Sequence, residues 1–426
     1  MGATGETART AGAPGRRFTA LLTCAMAFSM LQLFLLGALG PRLVAELGVS
    51  PTALGLTTTI GFGTAAVLSP SSGRTVDRIG PRRALVLLLL TSAAALALIG
   101  AAPGTGVLLG AVALGGLPQA LANPATNKAV VAAVPAGRRG QVTGTKQSGV
   151  QLGAFVAGLP LAALAAGVGW RGAVWTAAGA ALLTGLWALR VLPPDPPAVG
   201  PAPAVGPAPA VGPAPAVGGR VPSVVLWLAV FSLFLGSGIA SVNTYLALFG
   251  TERLGLGPTA AGALVAVLGV AGVVGRIGWS KAARPGRAEW LPGVLAAGAV
   301  GAAALLVAAA AQAAAPAAWA AAVAVGVFAV SGNAVSMVLV MQRALPGRAG
   351  QDSALVAAGF FAGFAVGPPL FGLLAEAGRY GLGWSLVAAE FGAACVVAFA
   401  WAVRDRAGRA GRAGRVDAAD SAGVRA

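Results

Sequence analysis

The sequence predicts an all-α protein that crosses a membrane about twelve times, and three observations carry that expectation. Of the 426 residues, 57 % are hydrophobic and only 10 % are charged. Soluble domains carry about 25 % charged residues, and so little charge cannot cover a water-facing surface. Apolar runs recur from Phe18 to Val403, each near the ~20 residues needed to cross ~30 Å of hydrocarbon. Basic residues collect in every second connection between runs, the bias that orients a chain in a bilayer.

With Gly, Pro and Arg clusters as breaks, spans are expected at 18–40, 51–71, 83–102, 107–132, 140–168 and 171–190, then at 223–248, 258–280, 289–311, 317–341, 352–375 and 384–403. The first follows Arg16-Arg17 and runs to about Leu39, longer than the apolar core of a secretory signal, so it reads as an uncleaved span. An even count puts both basic termini on one side. Arg42, Arg171, Arg253 and Arg379 fall on the other side. The positive-inside rule then makes both termini cytoplasmic, in a multi-pass protein of the plasma membrane. The net charge of +17 reports this topology and not a nucleic-acid partner, because the cations form no stripe with interleaved aromatics. Cys24 and Cys395 sit in distant apolar runs and support no disulfide. With no His and two Cys, a metal site of nitrogen and sulfur ligands is not expected, nor is a cofactor.

The expected organisation is a cytoplasmic tail (1–17), a six-helix bundle (18–192), a linker (193–222), a second six-helix bundle (223–403) and a basic, disordered tail (404–426). The linker repeats Ala-Val-Gly-Pro-Ala-Pro from Ala198, which favours solvated polyproline II over helix or sheet. The bundles echo each other. Leu47-Gly48, Pro51-Thr52-Ala53 and Gly55 recur as Leu254-Gly255, Pro258-Thr259-Ala260 and Gly262. Asn123, Gly137, Arg138, Gly140, Gln141, Gly149 and Gly153 recur as Asn333, Gly347, Arg348, Gly350, Gln351, Gly359 and Gly363. Two parallel repeats joined by a linker are how rocking transporters are built, with a midplane cavity between the halves.

Between the second and third spans lies Gly73-Arg-Thr-Val-Asp77-Arg78-Ile-Gly80-Pro-Arg82-Arg83. It resembles the Gly-x-x-x-Asp-Arg-x-Gly-x-Arg-Arg loop of the major facilitator superfamily. With the duplicated twelve-span plan, the resemblance covers nearly the whole chain. It implies that family's fold, two pseudo-symmetric six-helix bundles around a central cavity, and a secondary transporter with no enzymatic activity. It also implies a latch on the cytoplasmic side. Gly73 would allow close helix approach, Gly80 would supply the turn, and Asp77 would sit against the end of the eleventh span. Arg78, Arg82 and Arg83 would bind carboxylates, carbonyls or lipid phosphates. Pro81 departs from the pattern, and the second half's loop from Gly275-Arg276 lacks the Asp.

Polar side chains at membrane depth are costly and usually face the bundle interior. In the fourth span Gln119, Asn123 and Asn127 share one helical face. The family places its first, fourth, seventh and tenth spans around the cavity, which adds Gln32, Asn243 and Asn333. The repeat partners Asn123 and Asn333 would face each other across the pseudo-two-fold axis. Hydrogen bonding between helices is the alternative use of such amides. Lys146 lies ~9 Å of helix rise inside the Gly140 end. It is read either as a cation facing the cavity beside Gln147 and Gln151, or as a side chain that snorkels to the headgroups or serves structure.

Glu390 is the acid clearly inside a span, ~9 Å from its expected outer start at Trp384, and serves as a proton carrier or a structural partner. The expected substrate is a small organic anion or polar metabolite, carried by alternating access in a monomer surrounded by lipid, with protons as a coupling ion or none. Efflux of an amphipathic toxin or drug is the alternative. A sensor or a membrane enzyme for lipid-linked substrates would need domains or acidic and His clusters that the sequence lacks.

Overall fold

The computed structural model describes residues 15–192, 194–195, 222–282, 289–343 and 349–423. The first half contains α1 (Arg16–Ala38), α2 (Gly40–Leu47), α3 (Pro51–Ile79), α4 (Pro81–Ala101), α5 (Thr105–Ala133), α6 (Ala136–Val156) and α7 (Ala162–Val191). The second contains α8 (Ser223–Leu254), α9 (Pro258–Ala282), α10 (Leu291–Gln312), α11 (Ala315–Val325), α12 (Ser331–Arg343), α13 (Ala349–Glu376) and α14 (Tyr380–Gly423). Two π-helical turns, Ala157–Leu161 and Gly326–Val330, join α6 to α7 and α11 to α12.

Among the described residues, eleven helical runs are long and apolar enough to cross a membrane, and one of them, Gln141–Val191, has 51 residues. That run would span ~75 Å, far beyond a bilayer. It breaks at Gly169, whose φ of 73° and ψ of 165° reverse the chain, a conformation open to glycine alone. The run is therefore two crossings, and the total among the described residues is twelve.

Local chemistry sets the ends. Ser50 caps α3, its hydroxyl accepting from the Ala53 amide at 3.1 Å, with Pro51 at the first helical position. Gly48 and Gly255, repeat partners in sequence, both end their helices in the left-handed region, at φ 67° and 66°. Pro160 lacks an N–H and leaves the Val156 carbonyl without its helical donor, and the first π-turn forms around it.

The repeat holds in the packing. A side chain on Gly149 or Gly153 of α6 would strike the Thr23 and Ala27 carbonyls of α1. One on Gly359 or Gly363 of α13 would strike the Ala229 and Leu233 carbonyls of α8. Small residues let backbones touch where lipid offers no hydrophobic drive to association. These four glycines give each half the same crossing.

The halves meet at the end opposite the basic loops, called here the far end. Gly37 packs on the Asn243 carbonyl, and Gly55 and Gly372 pack on the Tyr245 hydroxyl. That hydroxyl proton is shared between the carbonyls of Pro51 (2.7 Å) and Pro368 (2.9 Å). Each carbonyl stands one turn before one of these bare glycines, which leaves it open to a second donor. Pro369 removes the helical donor for the Ala365 carbonyl, and Thr59 of the other half supplies one. Thr58 bonds Thr244 at 3.1 Å, and Phe62 packs between Phe361 and Phe364.

Two expectations change. The segment after the first span forms a separate helix, α2, with Pro41 in its first turn. The backbone after Arg404 continues as helix through Gly423, in keeping with its Ala and Arg content. The expected N-terminal tail up to residue 14 and the Pro-rich repeat at 196–221 lie outside the described residues.

Candidate functional site

Gln32 of α1 and Gln119 of α5 come together with Thr57, Thr58, Gly61 and Phe62 of α3 around a cavity of about 10 Å³, room for about one water. The Gln32 amide donates to the Val112 carbonyl at 3.4 Å, and the Gln119 carbonyl oxygen is buried without a partner. Asn123 is exposed and accepts from the Gln147 amide at 3.3 Å, which joins α5 to α6. Asn127, one turn further, is also exposed. Gln32, Gln119, Asn123, Asn127 and Gln147 thus form a continuous amide row along one wall of the first half.

Lys146 does not snorkel. It is fully buried, and its ammonium donates to the Thr126 hydroxyl at 2.6 Å. Thr126 in turn donates to the Ala122 carbonyl at 2.6 Å. The charge sits directly behind the amide row, with no carboxylate within 4 Å among the described residues.

Asn243 lies in the far-end contact, where its amide donates to Ile239 of its own helix at 2.8 Å. It belongs to the joint between the halves and not to an open wall. Asn333 is half-buried with its side-chain oxygen unpartnered. Its helix α12 packs on α8, α9, α10 and α13, whereas α5 packs on α1, α3, α4 and α6, so Asn123 and Asn333 stand on separate walls. Gln151 is buried against Gly272 of α9, its side-chain oxygen unpartnered.

Among the described residues, the expected contact of Asp77 with the end of the eleventh span is not made. The Asp77 carboxylate is 75 % exposed and pairs with Lys128 at 2.8 Å, not with α13. A side chain on Gly73 would meet nothing within 4 Å. Arg78 is exposed. Gly80 supplies the turn with φ 87°. The amides of Arg82 and Arg83 donate to the Asp195 carboxylate at 2.8 and 2.9 Å, an anion on a helix N-terminus, and the Arg82 guanidinium reaches the Leu189 carbonyl. Every one of these contacts stays inside the first half.

Glu390 lies deeper than expected because α14 starts at Tyr380, which puts it ~15 Å along the helix. It is buried and hydrogen-bonded to the Ser237 hydroxyl at 2.6 Å, its other oxygen unpartnered.

Several contacts escaped the sequence reading: Thr126 under Lys146, Lys128 on Asp77, Asp195 on α4, and the Arg343 cluster with Glu289 and Asp405. Arg276 also escaped it. It falls inside a span, half-buried, with its Nε buried and unpartnered. Its signal was available in the sequence, because an arginine within a span needs a reason.

The model of the Major Facilitator Superfamily matches residues 22–355. No curated protein sequence matches the chain significantly. Among solved structures, a bacterial homolog of the human lysosomal transporter Spinster, in an inward-facing and occupied conformation, superposes with a TM-score of 0.73 at 16 % identity, covering 91 % of this chain and 96 % of that one. The nucleoside transporter NupG superposes with a TM-score of 0.71 at 12 % identity, covering 90 % and 98 %. Twelve crossings in two repeated bundles, the Gly73 to Arg83 loop and a family match over most of the length leave one assignment: the chain belongs to the Major Facilitator Superfamily, whose members are transporters.

Proposed function

We propose that this protein is a secondary carrier working by alternating access, with a small organic anion or polar metabolite as its solute. One observation carries the reading: among the described residues the halves are bonded at the far end, while the amides Asn123 and Asn127 toward the basic end are exposed, with the buried Lys146 cation behind them. Positive-inside orientation makes the basic end cytoplasmic, so the state is open inward, like that of the Spinster homolog. Rocking would part the far-end contacts and bring Asp77 toward the end of α13. The wall offers amide donors and acceptors for a polar solute, Lys146 supplies positive potential in a low-dielectric setting, and the described cleft residues present no acid to oppose it. Glu390, buried beside Ser237, is the candidate to take up and release a coupling proton.

Proton flux in proteoliposomes, across a panel of organic anions and their neutral analogues, tests this. Selective acceleration by an anion, lost in Lys146→Ala and weakened in Asn123→Ala, is the expected outcome. Unchanged flux in both variants would remove them from the site. Acceleration by cationic amphiphiles instead would replace the solute class with drug efflux.

A further inference from the structure

The place where α6 of the first half touches α9 of the second has more unfilled polar atoms than packing requires. These helices run antiparallel in a regular register. Gly158 meets Gly262 and Ala266, Ala154 meets Gly269, and Gln151 meets Gly272. The next step of that register, one turn toward the basic end, sets Gln147 opposite Arg276. Both side chains are half-buried. On the carrier reading, the pair would lie where the cleft narrows between the halves.

Arg276 sits one turn beyond Gly272, on the same helical face. Helical side chains lean back over the preceding turn, and the missing side chain at Gly272 lets the Gln151 amide and Val330 approach α9 closely there. Around it, the Arg276 Nε, the Gln151 Oε1 and the Ser331 hydroxyl are all buried without hydrogen-bond partners. Gln151 touches the position of a Gly272 side chain, and Ser331 touches that of Gly275, so the three atoms surround one short stretch of α9 from three helices. Orphaned buried polar groups are rare in native proteins and ask for an occupant. No carboxylate pairs with Arg276 among the described residues. The nearest titratable neighbour on α6 is Lys146, itself without a carboxylate.

We propose that Arg276, with the Ser331 hydroxyl and the Gln151 amide, forms the subsite that holds the acidic group of the solute. The guanidinium gives charge-assisted, fork-shaped donation to a carboxylate or phosphate, and Ser331 adds a hydroxyl donor. Gln151 accepts from a hydroxyl or amine beside the acid. The site draws on both halves, so a bound anion bridges the hinge about which they part. This rests on the carrier reading and sharpens it, moving the principal cation from Lys146 to Arg276.

The test is ligand-induced stabilisation of the purified full-length protein. Benzoate, succinate and inorganic phosphate are set against benzamide and succinamide at one ionic strength. At least one anion is expected to raise the melting temperature while the neutral amides do not. Arg276→Gln should abolish that rise, weakening affinity about tenfold to a hundredfold, and Arg276→Lys should retain part of it. If Arg276→Gln does not fold, Ser331→Ala and Gln151→Leu should each shrink the same rise. Wild-type protein that none of the three anions stabilises, or an Arg276→Gln protein stabilised like wild type, overturns the subsite. Stabilisation that depends on Arg276, without solute flux in proteoliposomes, would keep the subsite and discard the carrier. Flux of neutral solutes alone, with no anion effect, would do the reverse.

Discussion

The far end and the basic end of this molecule join the same two halves with opposite chemistry. At the far end the contacts cross between halves: the Tyr245 hydroxyl on two carbonyls, Thr59 on the Ala365 carbonyl, Thr58 on Thr244, and Gly37 on the Asn243 backbone. Apart from Glu376, which meets the first turn of α3 at the Thr52 amide, these groups are neutral. At the basic end the ties are ionic, and those between described residues stay within one half. Asp77 holds Lys128, Asp195 holds the start of α4, and Arg343 joins Glu289 to Asp405. Neutral hydroxyl-to-carbonyl bonds can be exchanged for water at modest cost. Charges satisfied within a half leave the halves free to separate without exposing an unpaired ion. The arrangement suits a joint able to open and close, as the proposed carrier cycle requires.

If close backbone approach is what seals the far end, overfilling it should break the comparison most severely. A side chain on Gly37 would land on the Asn243 carbonyl oxygen, and a backbone atom cannot swing away. Gly37→Leu should cost the sealed state about 3 kcal/mol, roughly a hundredfold shift in population. Spin labels on the exposed residues Glu46 and Arg253, with both native cysteines replaced, should move to longer separations. An unchanged distance distribution would mean that the seal does not rest on this crossing. Tyr245→Phe is the milder version. Its ring would keep the stack on Phe371 at 4.6 Å, so the loss is the shared hydroxyl alone. About 1–2 kcal/mol is expected from it, seen as a smaller shift in the same labels.

Much of this plan was legible in the sequence because membrane helices announce themselves by length and by Gly, Pro and Arg punctuation. The twelve crossings follow the expected spans, and the repeated glycines 149, 153, 359 and 363 do equivalent work. The amide row was also readable, since Gln119, Asn123 and Asn127 share a helical face. Three things were not readable, for one reason: each depends on which surfaces meet. The Lys146 ammonium could point to headgroups or inward, and only the position of Thr126 decides it. Asn243 looked like cavity lining until the halves met on it. Asp77 looked like a partner of the eleventh span, which requires a basic end that is closed.

The ionic ties should behave differently from the seal. Arg343 is held by Asp405, whose hydrogen bonds raise its pKa above the ordinary arginine value, and by Glu289. It therefore stays charged throughout any practical pH range. Arg343→Gln removes one cation from two largely buried carboxylates and should lower thermal stability by about 1–2 kcal/mol. The far-end label distances should not change, because the cluster lies within the second half. A shift in those distances would show that the two ends are coupled through α12.

Asp195 gives the smallest effect and the sharpest contrast. It stands where Asp405 stands in the other half, just past the last span, but it meets backbone amides in place of a guanidinium. Its two oxygens satisfy the Arg82 and Arg83 N–H groups at the start of α4, donors that no helical carbonyl can reach. Gly80, at φ 87°, is packed so closely on this carboxylate that a side chain there would collide with it. Asp195→Ala removes a helix cap and should cost about 1 kcal/mol. Asp195→Asn keeps an acceptor for one amide and should cost less. Thermal unfolding of the two variants checks the order, and neither should alter the label distances. Equal losses would assign the effect to charge at the helix N-terminus and not to the cap geometry, because the two substitutions remove the same charge but different numbers of acceptors.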